Sequence, residues 1–475
     1  MSELERLAAR CLFVSFPGDR VPGWARRLLE LGLGGVTLFA DNVRDTDGVA
    51  ELTAALRADA PELLVSIDEE GGDVTRLEAG RGSSFPGSLA LGVVDDVELT
   101  REVAAAIAAA LARAGVNLNL APVADVNTNP RNPVIGVRSF GADAALVARH
   151  VAAFVEGTQR QGVAACAKHF PGHGDTAVDS HRALPVVGGD LETALAPFRA
   201  AIAADVQAVM TGHLVVPGFG EAPATISREL VTGLLRERLG FHGLVVSDAL
   251  EMGALSANIG VAEGAVRAIA AGVDALCLGH RVGEDGAGAV LAALVAAAQS
   301  GRLEPDRLAE AAARVGAAAS WAASPSPDGA AGAAVGAAAA RRALRSHGRP
   351  RVDAAPFVVE LIPEPNVAAG EHAHGLAALW PGAVEARVRE GHDDAAALAE
   401  REQGRPLVLV VRDAARHRWQ QRLAAELLGS RPGAVVVEVG LPGWAPPDGA
   451  PLVETHGAGR ASLAAAAELL SGARP

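Results

Sequence analysis

Cysteine is scarce in this sequence of 475 residues, which contains three: Cys11, Cys166 and Cys277. They lie far apart, and each sits inside an apolar run. This spacing offers neither a disulfide framework nor a thiolate cluster for a metal ion. We interpret all three as core residues of a protein from a reducing compartment.

Runs of basic residues are also absent. The formal net charge is −14 and the pI is about 5.4, whereas proteins that bind a phosphate backbone present a basic face. Composition therefore argues against nucleic acid as a partner and is compatible with a small neutral substrate such as a sugar. Half of the residues are hydrophobic, so the chain can bury a sizeable core.

Long apolar segments are missing as well. No stretch approaches the ~20 apolar residues of a membrane span. The first sixteen residues, MSELERLAARCLFVSF, carry acids and lack the apolar region of a signal peptide. Neither a GxxxxGK[ST] motif nor a strand-linked GxGxxG occurs, so nucleotide binding has no support. We expect a cytoplasmic protein without membrane contact, whose oligomeric state the sequence leaves open.

Short apolar runs of strand length recur through the first two-thirds of the chain. Between most of them lie Ala/Leu/Arg/Glu segments of helical character, such as VPGWARRLLELG and GVAELTAALRADA. About eight β-then-α units over some 300 residues predict a (β/α)8 TIM-like barrel. The apolar runs are 11–16, 34–39, 63–68, 116–122, 165–170, 208–213, 243–248 and 275–279.

Composition changes between residues 323 and 350, where a Ser/Pro/Gly-rich stretch gives way to an Ala-rich helix. We therefore predict a catalytic barrel domain over 1–325, a linker with an Ala-rich helix over 326–350, and a smaller α/β domain of sandwich type over 351–475. Three further apolar runs are typical of buried strands in this last domain: 357–362, 406–411 and 434–439.

Polar side chains follow several of the apolar runs in the first domain. They are Asp68, the neighbours Lys168 and His169, His213 and Asp248. A single polar residue after a strand more often caps the next helix. Repeated at four strands, the pattern favours an active site at the carboxyl face of the barrel.

Asp248 follows the apolar run 243–247 and precedes a helix-like segment. Backbone N–H groups at a helix start keep a carboxylate ionised. An ionised, oriented carboxylate is suited to attack a glycosidic carbon with oxocarbenium character. An ordinary helix N-cap is the alternative for this stretch taken alone.

Residues 168–181 read KHFPGHGDTAVDSH. Histidines and aspartates are metal ligands, yet the spacing is not H-E-x-x-H, and Gly and Pro break the helix that would align two imidazoles. A bent loop that pairs Asp179 with His181 is more natural. The carboxylate would then raise the basicity of the imidazole, which suits a general acid/base. A surface pair without a role is the alternative.

Five stretches together resemble bacterial glycoside hydrolase family 3, in its β-N-acetylglucosaminidase (NagZ-like) branch. They occur in family order through the first domain, and ETHGAGRASLAAAAELL (454–470) resembles the end of the second domain in longer members. The five stretches are IDEEGGDVTRL (67–77), NLAPVADVNTNPRNPVIGVRSFG (119–141), KHFPGHGDTAVDSH, MTGHLVVP (210–217) and VVSDALEM (245–252).

The resemblance implies a role for each matching residue. Asp248 would be the nucleophile that forms a covalent glycosyl-enzyme, His181 the general acid/base and Asp179 its partner. Carboxylates accept hydrogen bonds from sugar hydroxyls and cations donate them, although each sugar-binding candidate taken alone could instead form a structural ion pair. These candidates are Asp68, Arg76, Arg138, Lys168 and His169.

The sequence departs from the family pattern near residue 70. Asp73 stands where the family often has Arg, and Glu69 where it often has Gln; we expect both to act around the site rather than in the chemistry. In many other family 3 enzymes a Glu of the second domain is the acid/base, whereas the DSH motif here points to the first domain.

The resemblance predicts a retaining exo-β-N-acetylglucosaminidase that releases terminal GlcNAc from chito-oligosaccharides or muropeptide-type sugars, without a metal or organic cofactor. We expect the loop 171–181 to close over the bond during reaction. A phosphorylase is the nearest alternative, because a neutral His repels phosphate less than a Glu. A β-glucosidase of the same family, a non-catalytic sugar-binding protein and a metal-dependent hydrolase are further alternatives.

Overall fold

Eight parallel strands form one sheet in the order β7-β6-β5-β4-β3-β2-β1-β8, and a parallel bridge between Val246 and Ala275 joins its two edges. The computed structural model describes residues 2–180, 184–323, 332–364, 370, 375–392 and 394–472. The closed ring confirms the predicted barrel, and each of the eight strands lies within a predicted apolar run to within one residue. The strands are β1 (Leu12–Val14), β2 (Gly35–Leu38), β3 (Leu64–Ile67), β4 (Leu118–Asn119), β5 (Ala164–Phe170), β6 (Ala208–Thr211), β7 (Leu244–Ser247) and β8 (Leu276–Cys277).

Helices connect the strands, and several begin at an aspartate that precedes the apolar segment. Asp45 accepts the backbone N–H of Gly48 (2.7 Å), and Asp143 accepts that of Leu146 (2.7 Å). Such N-caps satisfy backbone donors that a helix leaves unpaired. The α-helices are α1 (Glu3–Arg10), α2 (Gly23–Leu31), α3 (Thr46–Asp59), α4 (Ser88–Val94), α5 (Val97–Arg113), α6 (Ala144–Gln159), α7 (Leu191–Ala203), α8 (Gly253–Ile259), α9 (Val261–Ala271), α10 (Gly283–Gln299), α11 (Pro305–Trp321), α12 (Gly332–Ala343), α13 (Ala395–Glu400), α14 (Arg418–Ser430) and α15 (Arg460–Ser471), with a π-helix at Glu229–Arg238.

The interior of the barrel is filled by side chains rather than open. One apolar cluster joins inward residues of the strands, such as Phe13, Leu118 and Met210, to Val315 and Ala319 of α11. Helix α11 therefore packs against the barrel interior. Cys166 and Cys277 belong to this cluster, and all three cysteines are buried thiols, as the sequence predicts.

The C-terminal part of the chain forms a second sheet in the order β11-β10-β12-β13-β14-β9. Five strands are parallel, and β9 pairs antiparallel with β14. Alternate residues of β10 enter different clusters, Phe357 with helix α14 and Val358 with helix α15. Helices thus cover both faces, as parallel sheets require. The strands are β9 (Arg345–His347), β10 (Phe357–Leu361), β11 (Val384–Val388), β12 (Leu407–Val411), β13 (Val435–Glu438) and β14 (Leu452–Glu454).

The predicted α/β architecture of this part is confirmed, and the three predicted runs correspond to β10, β12 and β13. The other three strands were not predicted. Strand β9 is exposed throughout, β11 is only partly buried and β14 is three residues long. None of them presents the continuous apolar run by which a buried strand is recognised.

Contacts along the chain divide it into two compact units. We call them the barrel unit and the C-terminal unit. Residues 70–99 and 136–140 group with the C-terminal unit. The predicted boundary near residue 325 did not include this grouping, and the boundary itself stays a prediction. The barrel unit comprises Met1–Glu69, Thr100–Ile135 and Gly141–Ala331, and the C-terminal unit comprises Glu70–Leu99, Gly136–Phe140 and Gly332–Pro475.

Candidate active site

Lys168 and Asp68 form a direct ion pair at the carboxyl ends of β5 and β3. The ammonium Nζ donates to Oδ1 of Asp68 at 2.6 Å, and the side chains are 2% and 19% exposed. The structure therefore brings together two residues that the sequence assigned to sugar binding. Lys168 is also the only lysine of the chain, so every other permanent side-chain cation is an arginine.

Asp248 follows β7 and is partly buried. Its Oδ1 accepts the backbone N–H of Ala249 (2.8 Å), while its own N–H donates to the carbonyl of Thr211 on β6 (3.0 Å). Helix α8 begins at Gly253 with Met252 as its N-cap. The N-cap interpretation of Asp248 is therefore wrong, because the carboxylate lies before a turn that precedes the helix.

His213, at the end of β6, holds the backbone that follows Asp248. Its Nδ1 lies 2.8 Å from Oγ1 of Thr225, and its Nε2 lies 3.0 Å from the carbonyl of Ala249. The side chain is completely buried. Since a carbonyl only accepts, Nε2 carries a proton and donates to Ala249. The sequence placed His213 at a strand end but gave it no role.

Asp68 and Asp248 act on the same two thiols inside the barrel. Burial, together with the carboxylates of Asp248 and Asp68, raises the pKa of Cys277 to about 12. Burial and the same two carboxylates also raise the pKa of Cys166. Asp68 and Asp248 directly follow the parallel strands β3 and β7, so both carboxylates lie at the carboxyl end of the barrel.

Asp125 organises the histidines at the end of β5. Its Oδ2 lies 2.8 Å from Nδ1 of His169, and its Oδ1 accepts the backbone N–H of His173 at 2.6 Å. Asp125 is fully buried and His169 nearly so. The carboxylate fixes the orientation of the His169 ring. Asp125 was not predicted as a site residue, although it lies in the stretch 119–141 just beyond β4.

The loop after β5 carries the proposed proton-transfer residues. We call residues 171–180 the β5 loop. Asp179 and Ser180 are buried, with 8% and 2% exposure. His181 lies outside the described residues, so its pairing with Asp179 and its approach to Asp248 stay predictions.

Arg76 and Arg138 belong to the C-terminal unit. Arg138 binds Glu70 through two parallel hydrogen bonds, Nε to Oε2 at 2.9 Å and Nη2 to Oε1 at 2.8 Å. Both side chains are at most 5% exposed. Arg138 thus takes part in a buried ion pair, while Arg76 lies partly buried in a turn. Their contact with a sugar stays a prediction.

The two departures from the family pattern have different environments. Asp73 accepts from the Arg412 guanidinium through Oδ2 and from the backbone N–H of Ala458 through Oδ1 (2.6 Å). It therefore joins residues 70–99 to the ends of β12 and β14 within the C-terminal unit. Glu69 is buried, and its main chain exchanges hydrogen bonds with the Asn119 side chain (3.1 and 2.9 Å).

Comparison with known proteins identifies the family. The model of the glycosyl hydrolase family 3 N-terminal domain matches residues 23–318, more than half of the chain. The chain belongs to glycoside hydrolase family 3. It is similar to a solved family 3 β-N-acetylglucosaminidase from Paenibacillus sp. strain FPU-7, with 34% identity, a TM-score of 0.88 and coverage of 99% of this chain and 97% of that one.

Two curated relatives in the family match this chain over only part of their own length. A β-hexosaminidase A from Pseudoalteromonas piscicida is 38% identical over 280 residues, 53% of this chain and 47% of that protein. A β-N-acetylglucosaminidase/β-glucosidase from Cellulomonas fimi is 33% identical over 330 residues, 66% of this chain and 57% of that protein. The chain thus spans about half the length of these two relatives.

The described residues contain neither a helix suited to span a membrane nor a cluster of potential metal ligands. Among them, no helix is both long and apolar enough to span a bilayer. Within the same residues, no three His, Cys, Asp or Glu side chains are grouped as metal ligands. The cytoplasmic location and the metal-free, cofactor-free reaction stay predictions.

Proposed function

We propose that this chain is a retaining exo-β-N-acetylglucosaminidase that releases terminal GlcNAc from small glycans such as chito-oligosaccharides or muropeptide-type sugars. The observation that carries the proposal is the similarity, along nearly the full length of both chains, to the Paenibacillus β-N-acetylglucosaminidase. The oriented carboxylate of Asp248 and the Lys168–Asp68 pair, which lie at the carboxyl ends of parallel strands of one sheet, support it.

The proposed reaction has two displacements at the anomeric carbon. The Asp248 carboxylate attacks C1 while His181 donates a proton to the departing oxygen, which leaves a glycosyl ester and a free alcohol. His181 then removes a proton from water, and the resulting attack on C1 releases GlcNAc and the Asp248 carboxylate. Two inversions retain the configuration.

The proposed sugar site uses charges that are already paired. Asp68 would accept from a hydroxyl while Lys168 donates to one, since a carboxylate has several acceptor positions and an ammonium has three donors. His169 would contact a further hydroxyl through Nε2, because its Nδ1 faces Asp125. Arg76 and Arg138 complete the proposed set. Preorganised partners of this kind lower the cost of orienting the sugar ring.

Replacement of Asp248 tests the nucleophile. We expect Asp248→Asn to reduce kcat/KM for 4-nitrophenyl β-GlcNAc by at least about 1,000-fold, because the amide cannot form the ester intermediate. Asp306→Asn, in the exposed first turn of α11, is the control and should keep wild-type activity.

Intact-mass measurement with a slow 2-deoxy-2-fluoro glycoside should reveal a covalent adduct on the wild type and none on Asp248→Asn. An Asp248→Asn variant that still forms the adduct would contradict the assignment of the nucleophile.

A second candidate is β-glucoside hydrolysis by the same site, favoured by the double name of the Cellulomonas fimi relative. Turnover of chromogenic β-GlcNAc and β-glucoside should be compared with and without inorganic phosphate. We expect a higher kcat/KM for β-GlcNAc and free GlcNAc as the product in both buffers. GlcNAc-1-phosphate would instead identify a phosphorylase, and preference for glucose would reverse the substrate assignment.

A further inference from the structure

The base of the β5 loop is fastened to the segment that follows β4. The side-chain amide of Asn132 donates to the His173 carbonyl (2.7 Å), and that of Asn129 donates to the Thr176 carbonyl (3.1 Å). The backbone N–H of His173 is held by Asp125, as described above. Residues 173–176 are therefore tied to the barrel unit through both side-chain and backbone contacts.

His173 extends this anchor toward the DSH motif. Its ring is 2% exposed, with Nδ1 at 2.6 Å from Oγ1 of Thr176 and Nε2 at 3.1 Å from Oγ of Ser180. The carbonyl of Ser180 accepts the N–H of Ala254 in α8 at 3.3 Å. Ser180 is thus held from two sides, by the base of its own loop and by the helix that follows Asp248.

The charge state of His173 determines the direction of these hydrogen bonds. Burial lowers the pKa of His173 to about 4, so the ring is neutral near pH 7 and has one donor and one acceptor. The Thr176 hydroxyl donates to the His173 carbonyl (3.0 Å), and its oxygen then accepts from Nδ1–H. The remaining nitrogen, Nε2, accepts from the Ser180 hydroxyl.

We propose that His173 and Ser180 are positioning residues for proton transfer: their hydrogen bond holds the backbone next to Asp179, the proposed partner of the general acid/base. Consecutive Cα atoms are about 3.8 Å apart, so fixing Ser180 restricts the position of Asp179. Neither positioning residue needs to touch the substrate. The inference rests on the proposed function, because it assigns a role to residues that serve the general acid/base.

Substitution of Ser180 separates positioning from folding. We expect Ser180→Ala to lower kcat/KM for chitobiose, whose leaving group needs protonation, by about 10-fold. The value for 2,4-dinitrophenyl β-GlcNAc, whose leaving group departs unaided, should change by less than about 2-fold. Ser180→Thr retains the hydroxyl and should return chitobiose activity to within about 3-fold of wild type.

A matched pair at position 173 gives an independent measurement. The amide of His173→Asn lies near the position of Nδ1 and can keep the Thr176 contact, whereas that of His173→Gln reaches the position of Nε2 and can keep the Ser180 contact. We expect the Asn variant to show the leaving-group-dependent loss and the Gln variant to show a smaller one. Thermal unfolding of all four variants provides the folding control.

Three results would overturn the positioning role while leaving glycoside hydrolysis intact. They are equal losses of activity on both substrates, no loss on either substrate, and a Ser180→Thr variant as impaired as Ser180→Ala. If Ser180→Ala does not fold, the two His173 variants decide in the same way. A wild-type protein that cleaves no glycoside would overturn the proposed function together with this inference.

Discussion

At the scale of single residues, Lys168 shows that a buried site can select a cation by its shape as well as by its charge. The chain uses arginine for all of its other permanent side-chain cations, yet a lysine occupies this almost fully buried position against Asp68. An ammonium is compact and can turn its three donors in several directions, whereas guanidinium is a wide planar fork. The buried site therefore selects the smaller cation.

Lysine replacement tests this selection. We expect both Lys168→Met and Lys168→Arg to lower kcat/KM by about 100-fold, the first through loss of charge and the second through poor fit. Steady-state kinetics on 4-nitrophenyl β-GlcNAc measures the effect. Wild-type activity in Lys168→Arg would show that charge alone matters.

Arg101 offers the matched comparison, because it pairs with the half-exposed Glu156 on the barrel unit. Arg101→Met should leave kcat/KM unchanged.

Since Lys168 carries the only side-chain amine of the chain, amine-specific labelling followed by peptide mass analysis reports on Lys168 directly. Bound GlcNAc should slow the labelling of Lys168.

At the scale of elements, Asp274 joins parts of the barrel unit that are distant in sequence. Its fully buried carboxylate accepts from Arg236 of the π-helix and from Arg307 (2.6 Å) and Arg314 (3.3 Å) of α11. It also accepts the N–H of Val245 in β7 (3.0 Å). One carboxylate thus connects a strand and two helices.

Removal of this carboxylate leaves three cations around a buried cavity. We expect Asp274→Ala to reduce the free energy of unfolding of the barrel unit by about 3–5 kcal/mol, measured by denaturant titration. Asp59→Ala, which breaks the exposed pair with Arg26, should cost less than about 1 kcal/mol. Similar losses in the two variants would contradict the distinction between buried and exposed pairs.

At the scale of the whole molecule, stability should depend on pH through Glu438 at the end of β13. The side chain is 2% exposed, and its oxygens accept the N–H groups of Asp413, Ala414 and Gly440. Burial, aided by the carboxylate of Asp413, outweighs these donors and raises the pKa of Glu438 to about 8.

The sign of the effect follows from the raised pKa. Between about pH 4.5 and 8 the folded chain holds a proton that the unfolded chain has released, so the stabilisation is complete below pH 4.5 and is lost as pH rises through 8. The loss is on the order of 5 kcal/mol at about 1.4 kcal/mol per pKa unit. Between pH 5 and 9 the free energy of unfolding of the wild type should therefore decrease more than that of Glu438→Gln. Parallel pH profiles of the two proteins would show that Glu438 is not the cause.

The strands of both sheets show which elements a sequence predicts well. Buried strands such as β7 and β12 present continuous apolar runs and were predicted, because both faces of a parallel strand need apolar side chains. Edge strands β9 and β11 lie against fewer neighbours and have no such run. The grouping of residues 70–99 with the C-terminal unit is carried by contacts such as that of Asp73 with Arg412, more than 300 positions apart, and no local pattern encodes it.

The sequence by itself determined the barrel, the second α/β sheet and the residue types suited to glycoside chemistry, because these depend on local periodicity and on motif spacing. Tertiary structure decided the partners of those residues: Asp68 for Lys168, Asp125 for His169 and Ser180 for His173. Such pairs form between strand ends and loops that meet only when the barrel closes, so their distances cannot be read from the order of the chain.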